Sequence, residues 1–136
     1  MRRPDPITEI FLRPGEFYFG GARTRIRTLL GSCVAVTVWH PLLRIGGMCH
    51  YLLPGGNGGP VRFPEGYYAS GAMELFMREL RFTGTRPSEY QLKLFGGGNM
   101  FSGQPCGEDC GGVPCRNMQA GRELARRYGF AIRAEH

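Results

Sequence analysis

The segment TLLGSCVAVTVWHPLLRIGGMCH, running from Thr28 to His50, holds a cysteine after a Gly-Ser pair and a histidine seventeen positions further on. A cysteine attacks carbonyl carbon only as its thiolate, so a nucleophilic Cys33 needs a base, a positive field and access to a substrate. Gly31 and Ser32 allow a sharp turn at a strand end. A cysteine placed just past such a turn can present its sulfur and direct its own amide at a forming oxyanion. If the two flanking strands pair antiparallel, His50 returns beside Cys33 and can serve as that base. Cys49 adjoins the histidine, but neighbouring residues of a strand point to opposite faces, so Cys49 and His50 do not share a pocket. Spacing alone leaves Cys33 and His50 open to a second reading, as an inert thiol in a valine-rich strand and a hydrogen-bonded core histidine.

The elements that must position these residues are short and punctuated by 22 glycines and 10 prolines. Strands are expected over 26–30, 34–39 and 45–53, the last two joined through the turn HPLLR, and again over 91–95 and 130–134. Residues 53–66, LPGGNGGPVRFPEG, read as a surface loop. In YASGAMELFMREL, Ala72, Met73, Phe76, Met77 and Leu80 recur at three- and four-residue intervals, which predicts a helix with one buried stripe and Ser70 as its cap. A second helix is expected over 117–128. The order of strands, helix, strand, helix, strand predicts an α+β fold. It is expected as a single domain over 1–136, a layered sandwich of a mixed, largely antiparallel sheet with two main helices on one face.

Composition narrows the class. Hydrophobic residues make up 42% and charged residues 21% of the 136, as in a folded globular chain. Seventeen Lys and Arg against eleven Asp and Glu give a formal charge of +6, which favours an acidic partner surface. No run of eighteen apolar residues occurs and no apolar block follows MRRPDPITEIF, so the expectation is a cytoplasmic protein without direct membrane insertion. An odd count of five cysteines leaves at least one unpaired. Cys106, Cys110 and Cys115 offer three thiolates within SGQPCGEDCGGVPC, one ligand short of a structural zinc set, so no metal is expected. The glycines of LFGGGNMF lack the Lys and Ser/Thr of a phosphate loop. The arginines of GRELARRYG come without a nucleic-acid motif, and a solvated helix face explains them; no nucleic-acid partner is expected.

The successive segments RTLLGSCVAVTVWHP, IGGMCHYLLP, KLFGGGNMF and RNMQAGRELARRYGF resemble, in this order, the motifs of the CheD family of chemoreceptor glutamine deamidases. The likeness runs from about FLRPGEFYFG to the end of the chain. It implies a cofactor-free amidohydrolase that converts glutamine side chains on the cytoplasmic helices of methyl-accepting chemotaxis receptors to glutamate, releasing ammonia. It implies Cys33 as nucleophile, His50 as its base and Thr28 as the residue that orients the histidine. Thr28 lies five residues before Cys33, so a bulge or break at Gly31 is required to bring the two together. Ser32, Gly98 and Asn99 are the expected substrate contacts, and a CheC-type phosphatase is a second implied partner. The alternatives are a non-catalytic chemotaxis adaptor and a thiol enzyme of related chemistry. The family pattern continues past the last strand into a further glycine-containing segment, whereas this sequence ends at His136.

Overall fold

The computed structural model describes residues 6–55, 64–96 and 113–136, with the side chains of 113–115 excepted. Among the described residues, seven strands and two α-helices follow one another as β1 (Thr8–Leu12), β2 (Phe17–Gly21), β3 (Thr24–Thr28), β4 (Val34–His40), β5 (Ile45–Tyr51), α1 (Ala69–Thr83), β6 (Gln91–Gly96), α2 (Val113–Tyr128) and β7 (Ala131–Glu135). Five strands form one sheet in the order β2-β5-β4-β6-β7, and β1 and β3 form a separate parallel pair. The large sheet is antiparallel except for the parallel β6–β7 edge, so the expected α+β architecture with a mixed sheet is what the chain adopts.

The core lies between the sheet and the helices. β4 turns Val34, Val36 and Val38 to this side, β6 adds Leu92 and Leu94, and β5 adds Cys49 and Tyr51. The facing stripe of α1 is the expected one: Ala72, Met73, Phe76 and Leu80 are fully buried, with Met77 packed at the margin. Burying side chains the size of Met73, Phe76 and Leu80 stabilises by about 1.5–3 kcal/mol each. Helix α2 packs on β4, β6 and β7 as well as on α1, so both helices cover the same face. The helix α1 begins at Ala69 with Tyr68 as its cap, and Ser70 lies inside the first turn rather than capping it. Its C-terminus closes on Gly84 in the left-handed region, φ 70°, where glycine carries no steric cost.

Several boundaries differ from the expectation, and the helix expected over 117–128 starts four residues earlier, at Val113. The strand expected over 26–30 ends at Thr28 and belongs to the small pair, not to the main sheet. The one expected over 45–53 ends at Tyr51, leaving only an isolated bridge from Leu53 to Tyr68. The surface loop expected over 53–66 ends in a short 3-10 turn, Glu65–Tyr67, whose Gly66 is buried. Strands β1 and β2 were not expected at all.

The turn from β1 to β2 depends on Gly15. Its φ of 85° is left-handed, and a Cβ there would lie 2.2 Å from the ring of Tyr67. Gly15→Ala therefore combines backbone strain with an overlap against a packed aromatic ring, and is expected to cost about 2–4 kcal/mol of stability. Urea denaturation checks this; a midpoint equal to that of wild type would refute it.

Candidate active site

β5 alternates its side chains between two environments. Cys49 points to the helices, where it is fully buried and donates to the carbonyl of Gly66 at 3.5 Å. Burial pushes its thiol up to about 12. His50 points the other way, toward the β1–β3 layer, and is 1% exposed. The expected separation of Cys49 from His50 therefore holds, and it leaves Cys49 as a packing residue with a protonated sulfur.

Two backbone contacts from the turn between β1 and β2 hold the histidine. Its carbonyl accepts from Gly15 N–H at 2.6 Å, and its own N–H donates to the carbonyl of Glu16 at 3.1 Å. The turn supplying both is itself closed by Glu16, whose carboxylate accepts from Arg13 N–H at 2.7 Å. Just beyond, Tyr51 donates its hydroxyl to the carbonyl of Asn117 at 2.6 Å, and Asn117 Nδ2 donates to the carbonyl of Leu52 at 2.7 Å. Helix α2 thus pins the end of β5 from the core side while the N-terminal turn pins it from the edge.

The side chain of His50 meets Thr28. Thr28 Oγ1 lies 2.8 Å from His50 Nδ1 and 2.8 Å from the carbonyl oxygen of Leu12. A hydroxyl has one hydrogen, and a carbonyl can only accept, so the Thr28 proton goes to Leu12. Its oxygen then accepts from His50, which places the ring proton on Nδ1 and leaves the lone pair on Nε2. Nε2 is buried and has no hydrogen-bond partner among the described residues. Desolvation lowers the pKa of His50 from the ordinary histidine value of 6.5, so the ring is neutral at pH 7. A neutral imidazole with a free, oriented Nε2 has the chemistry to accept a proton.

Cys33 immediately precedes β4 and is half-buried, while Ser32 beside it is exposed. β4 and β5 pair antiparallel with Ala35 opposite His50, so Cys33, two residues before Ala35, falls on the same face as the histidine. Residues 29–33 form no strand, and this break carries the chain from the β1–β3 pair into the main sheet, as the Thr28–Cys33 spacing required. Desolvation raises the Cys33 pKa, and a hydrogen bond from Ser32 opposes that rise. The structure thus joins Thr28 to His50 directly and places Cys33 on their face without a hydrogen bond to the ring. Gly98 and Asn99 lie outside the described residues, as do Cys106 and Cys110; the side chain of Cys115 is likewise not described. No group of three metal-ligating side chains occurs among the described residues.

Sequence reasoning missed the carbonyl of Leu12 and the backbone of Gly15 and Glu16. A signal for them existed in TEIFLRPGEFYFGG, where two apolar or aromatic runs flank a Pro-Gly turn.

The lowered histidine pKa makes stability depend on pH. Below 6.5 the unfolded chain binds a proton at this position that the folded chain does not, so stability is complete above 6.5 and falls as the pH drops toward the folded value. Thermal unfolding of wild type is expected to lose stability between pH 7.5 and 5.5, by more than a His50→Asn variant loses. Equal losses in the two proteins would assign the effect to other groups.

A family model described as CheD chemotactic sensory transduction matches residues 52–136. The chain is 50% identical over 133 residues to a protein from Dechloromonas aromatica (strain RCB) named probable chemoreceptor glutamine deamidase CheD 3, covering 98% of this chain and 77% of that one. It is 45% identical over 137 residues to a protein from Pseudomonas savastanoi pv. phaseolicola named probable chemoreceptor glutamine deamidase CheD, covering 99% and 76%. Among solved structures, Bacillus licheniformis hypothetical protein YfiH superposes with a TM-score of 0.50 at 13% identity, over 90% of this chain and 47% of the longer one. That likeness concerns the fold alone. With two relatives aligned over nearly all of this chain and about three quarters of their own length, and a matching family model over more than half its residues, the chain belongs to the CheD family.

Proposed function

We propose that this protein is a chemoreceptor glutamine deamidase, hydrolysing the side-chain amide of glutamines on the cytoplasmic helices of chemotaxis receptors. The observation that carries the reading is the Leu12–Thr28–His50 relay, which leaves a buried, unpartnered Nε2 on the face that also bears Cys33. Burial keeps both partners neutral in the free enzyme, with the cysteine raised and the histidine lowered, so the proton transfer belongs to the substrate complex rather than to a resting ion pair.

In the mechanism that fits, His50 Nε2 takes the thiol proton as Cys33 Sγ bonds to the amide carbon. The carbonyl π electrons move to oxygen, and backbone N–H groups of the Gly31–Cys33 segment are the donors we assign to that oxyanion. Collapse breaks the C–N bond, and His50 returns its proton to the nitrogen, which leaves as ammonia. Water, deprotonated by the same Nε2, then attacks the γ-glutamyl thioester; the C–S bond breaks, the thiolate regains its proton and glutamate remains. Ser32, exposed beside Cys33, is assigned to the substrate side of the sulfur. Thr28 touches neither substrate nor sulfur in this scheme and is a positioning residue.

None of the described helices is long and apolar enough to cross a membrane. A cytoplasmic enzyme acting on receptor helices is the matching placement, with a CheC-type phosphatase as the second partner that family membership suggests. The test is mass spectrometry of a purified receptor cytoplasmic fragment incubated with this protein, with released ammonia assayed in parallel. A gain of about 1 Da at specific glutamines is expected. If no glutamine changes on a receptor from the same source, the adaptor reading replaces this one.

A further inference from the structure

Three stripes of side chains meet on the sheet face opposite the helices. β5 places Gly46, Met48 and His50 there, and β4 places Trp39, Thr37 and Ala35, with Cys33 next in the same alternation. β3 turns Thr24 and Ile26 to the same side as Thr28, whose hydroxyl meets His50. Beyond the cysteine–histidine pair, these same stripes enclose a groove of about 200 Å³ walled by Thr24, Ile26, Thr37, Trp39 and Met48. Gly46 brings no side chain to the floor, which leaves the groove its depth. The groove and the candidate active site are therefore two stretches of one track.

The groove is too small for a cofactor or a drug-sized ligand, which need roughly 300 Å³ or more. Its walls are apolar and hydroxylic, with a tryptophan that stays 39% exposed. Tryptophan at the edge of a shallow groove is the residue type that most often anchors a protein partner. At its margin stands Lys93, exposed and directly across β4–β6 from Thr37. An apolar slot flanked by a cation, on a chain of formal charge +6, suits an amphipathic helix with acidic residues beside its apolar stripe.

We propose that this groove is a substrate subsite, which seats an apolar side chain of the same acidic helix that presents its glutamine to Cys33. The inference rests on the deamidase reading and adds the position of the anchor. Along the strand, Thr37 lies ~13 Å and Trp39 ~20 Å from Cys33. On a helix rising 1.5 Å per residue those distances correspond to roughly 9 to 13 residues, or two and a half to three and a half turns from the target glutamine.

The experiment follows deamidation of a receptor cytoplasmic fragment by wild type, Thr37→Trp, which fills the groove, Trp39→Ala, which removes its wall, and Trp39→Phe. Alkylation of Cys33 by iodoacetamide and thermal unfolding are measured on the same proteins. The two disruptive variants are expected to raise KM by about tenfold or more with kcat within about twofold. Trp39→Phe restores most of the KM, and alkylation rates stay equal. Unchanged KM in both disruptive variants, with alkylation intact, overturns the proposal. So does a change confined to the sedimentation mass, which would make this face a contact between copies of the chain. Trp39 is the chain's single tryptophan, so its fluorescence reports on the groove independently of catalysis. Using a receptor fragment without tryptophan, a saturable blue shift supports docking even if no glutamate forms, which separates failure of the groove from failure of the deamidase reading. No shift and no KM effect refute the subsite.

Discussion

A Cys33→Ala variant is expected to convert no receptor glutamine at a measurable rate, a loss of roughly 10⁴-fold or more, whereas Cys49→Ala keeps its turnover. The two thiols differ in environment, not in kind. Cys33 lies half-buried on the His50 face after a turn that exposes Ser32, while Cys49 is sealed among core side chains with its thiol pushed up to about 12. Loss of the Cys49 sulfur leaves a small cavity beside Gly66 and is expected to lower stability by about 1–2 kcal/mol, visible in the denaturation midpoint and not in kcat. The pair is read out by peptide mass spectrometry of the receptor fragment beside an ammonia assay. Persistent deamidation by Cys33→Ala would remove the nucleophile assignment. Loss of activity in a folded Cys49→Ala would transfer it.

The second large effect belongs to the histidine relay. His50→Ala should reduce kcat by about 10³-fold or more, because in the proposed scheme one imidazole would serve as base in acylation, acid toward ammonia and base again toward water. Thr28→Val keeps the shape of threonine but strands the Nδ1–H of His50 and the carbonyl of Leu12. It should lower kcat by about 10–100-fold with little change in KM, in line with the loss of an orienting partner. The same change leaves two buried polar groups unpaired and costs about 1–3 kcal/mol of stability. Thr28→Ser retains the hydroxyl and should recover most of both losses. Steady-state kinetics over pH separate this positioning role from a purely structural one: with the tautomer no longer held, the acidic limb of the Thr28→Val profile is expected to move relative to wild type. A Thr28→Val enzyme with wild-type kcat and an unmoved profile would show that the ring needs no such orientation.

Local patterns in the chain were legible where one element carried its own period. The stripe of α1 follows from apolar residues at helical spacing, and the turn HPLLR joins the valine-rich run of β4 to the run IGGMCHY of β5, which do pair antiparallel. Strand β1 was not legible: TEIFL shows exposed and intermediate positions except Leu12, because its partner β3 is a parallel strand reached only after β2 has left for the other sheet. β2, FYFGG, is intermediate on both faces and so lacks alternation. For the same reason the strand expected over 26–30 was cut at Thr28. Whether a run of TRIRT stays in the main sheet or layers above it depends on contacts with distant segments, and propensity carries no record of those.

By itself the sequence determined which groups are available: a thiol after a Gly-Ser turn, a histidine at the far end of a paired strand, a threonine upstream, and the family to which the motifs belong. Alternation along β5 was enough to part Cys49 from His50, since a strand's side-chain period is two whatever surrounds it. Only the tertiary structure decided what those groups can do. Leu12 and Thr28 reach each other through parallel pairing of β1 with β3, and that contact commits the threonine proton, sets the histidine tautomer and frees Nε2. Direction in a hydrogen-bond chain depends on which acceptor lies at its end, and that acceptor is a backbone carbonyl sixteen residues from the threonine, a group every residue has and no sequence pattern distinguishes.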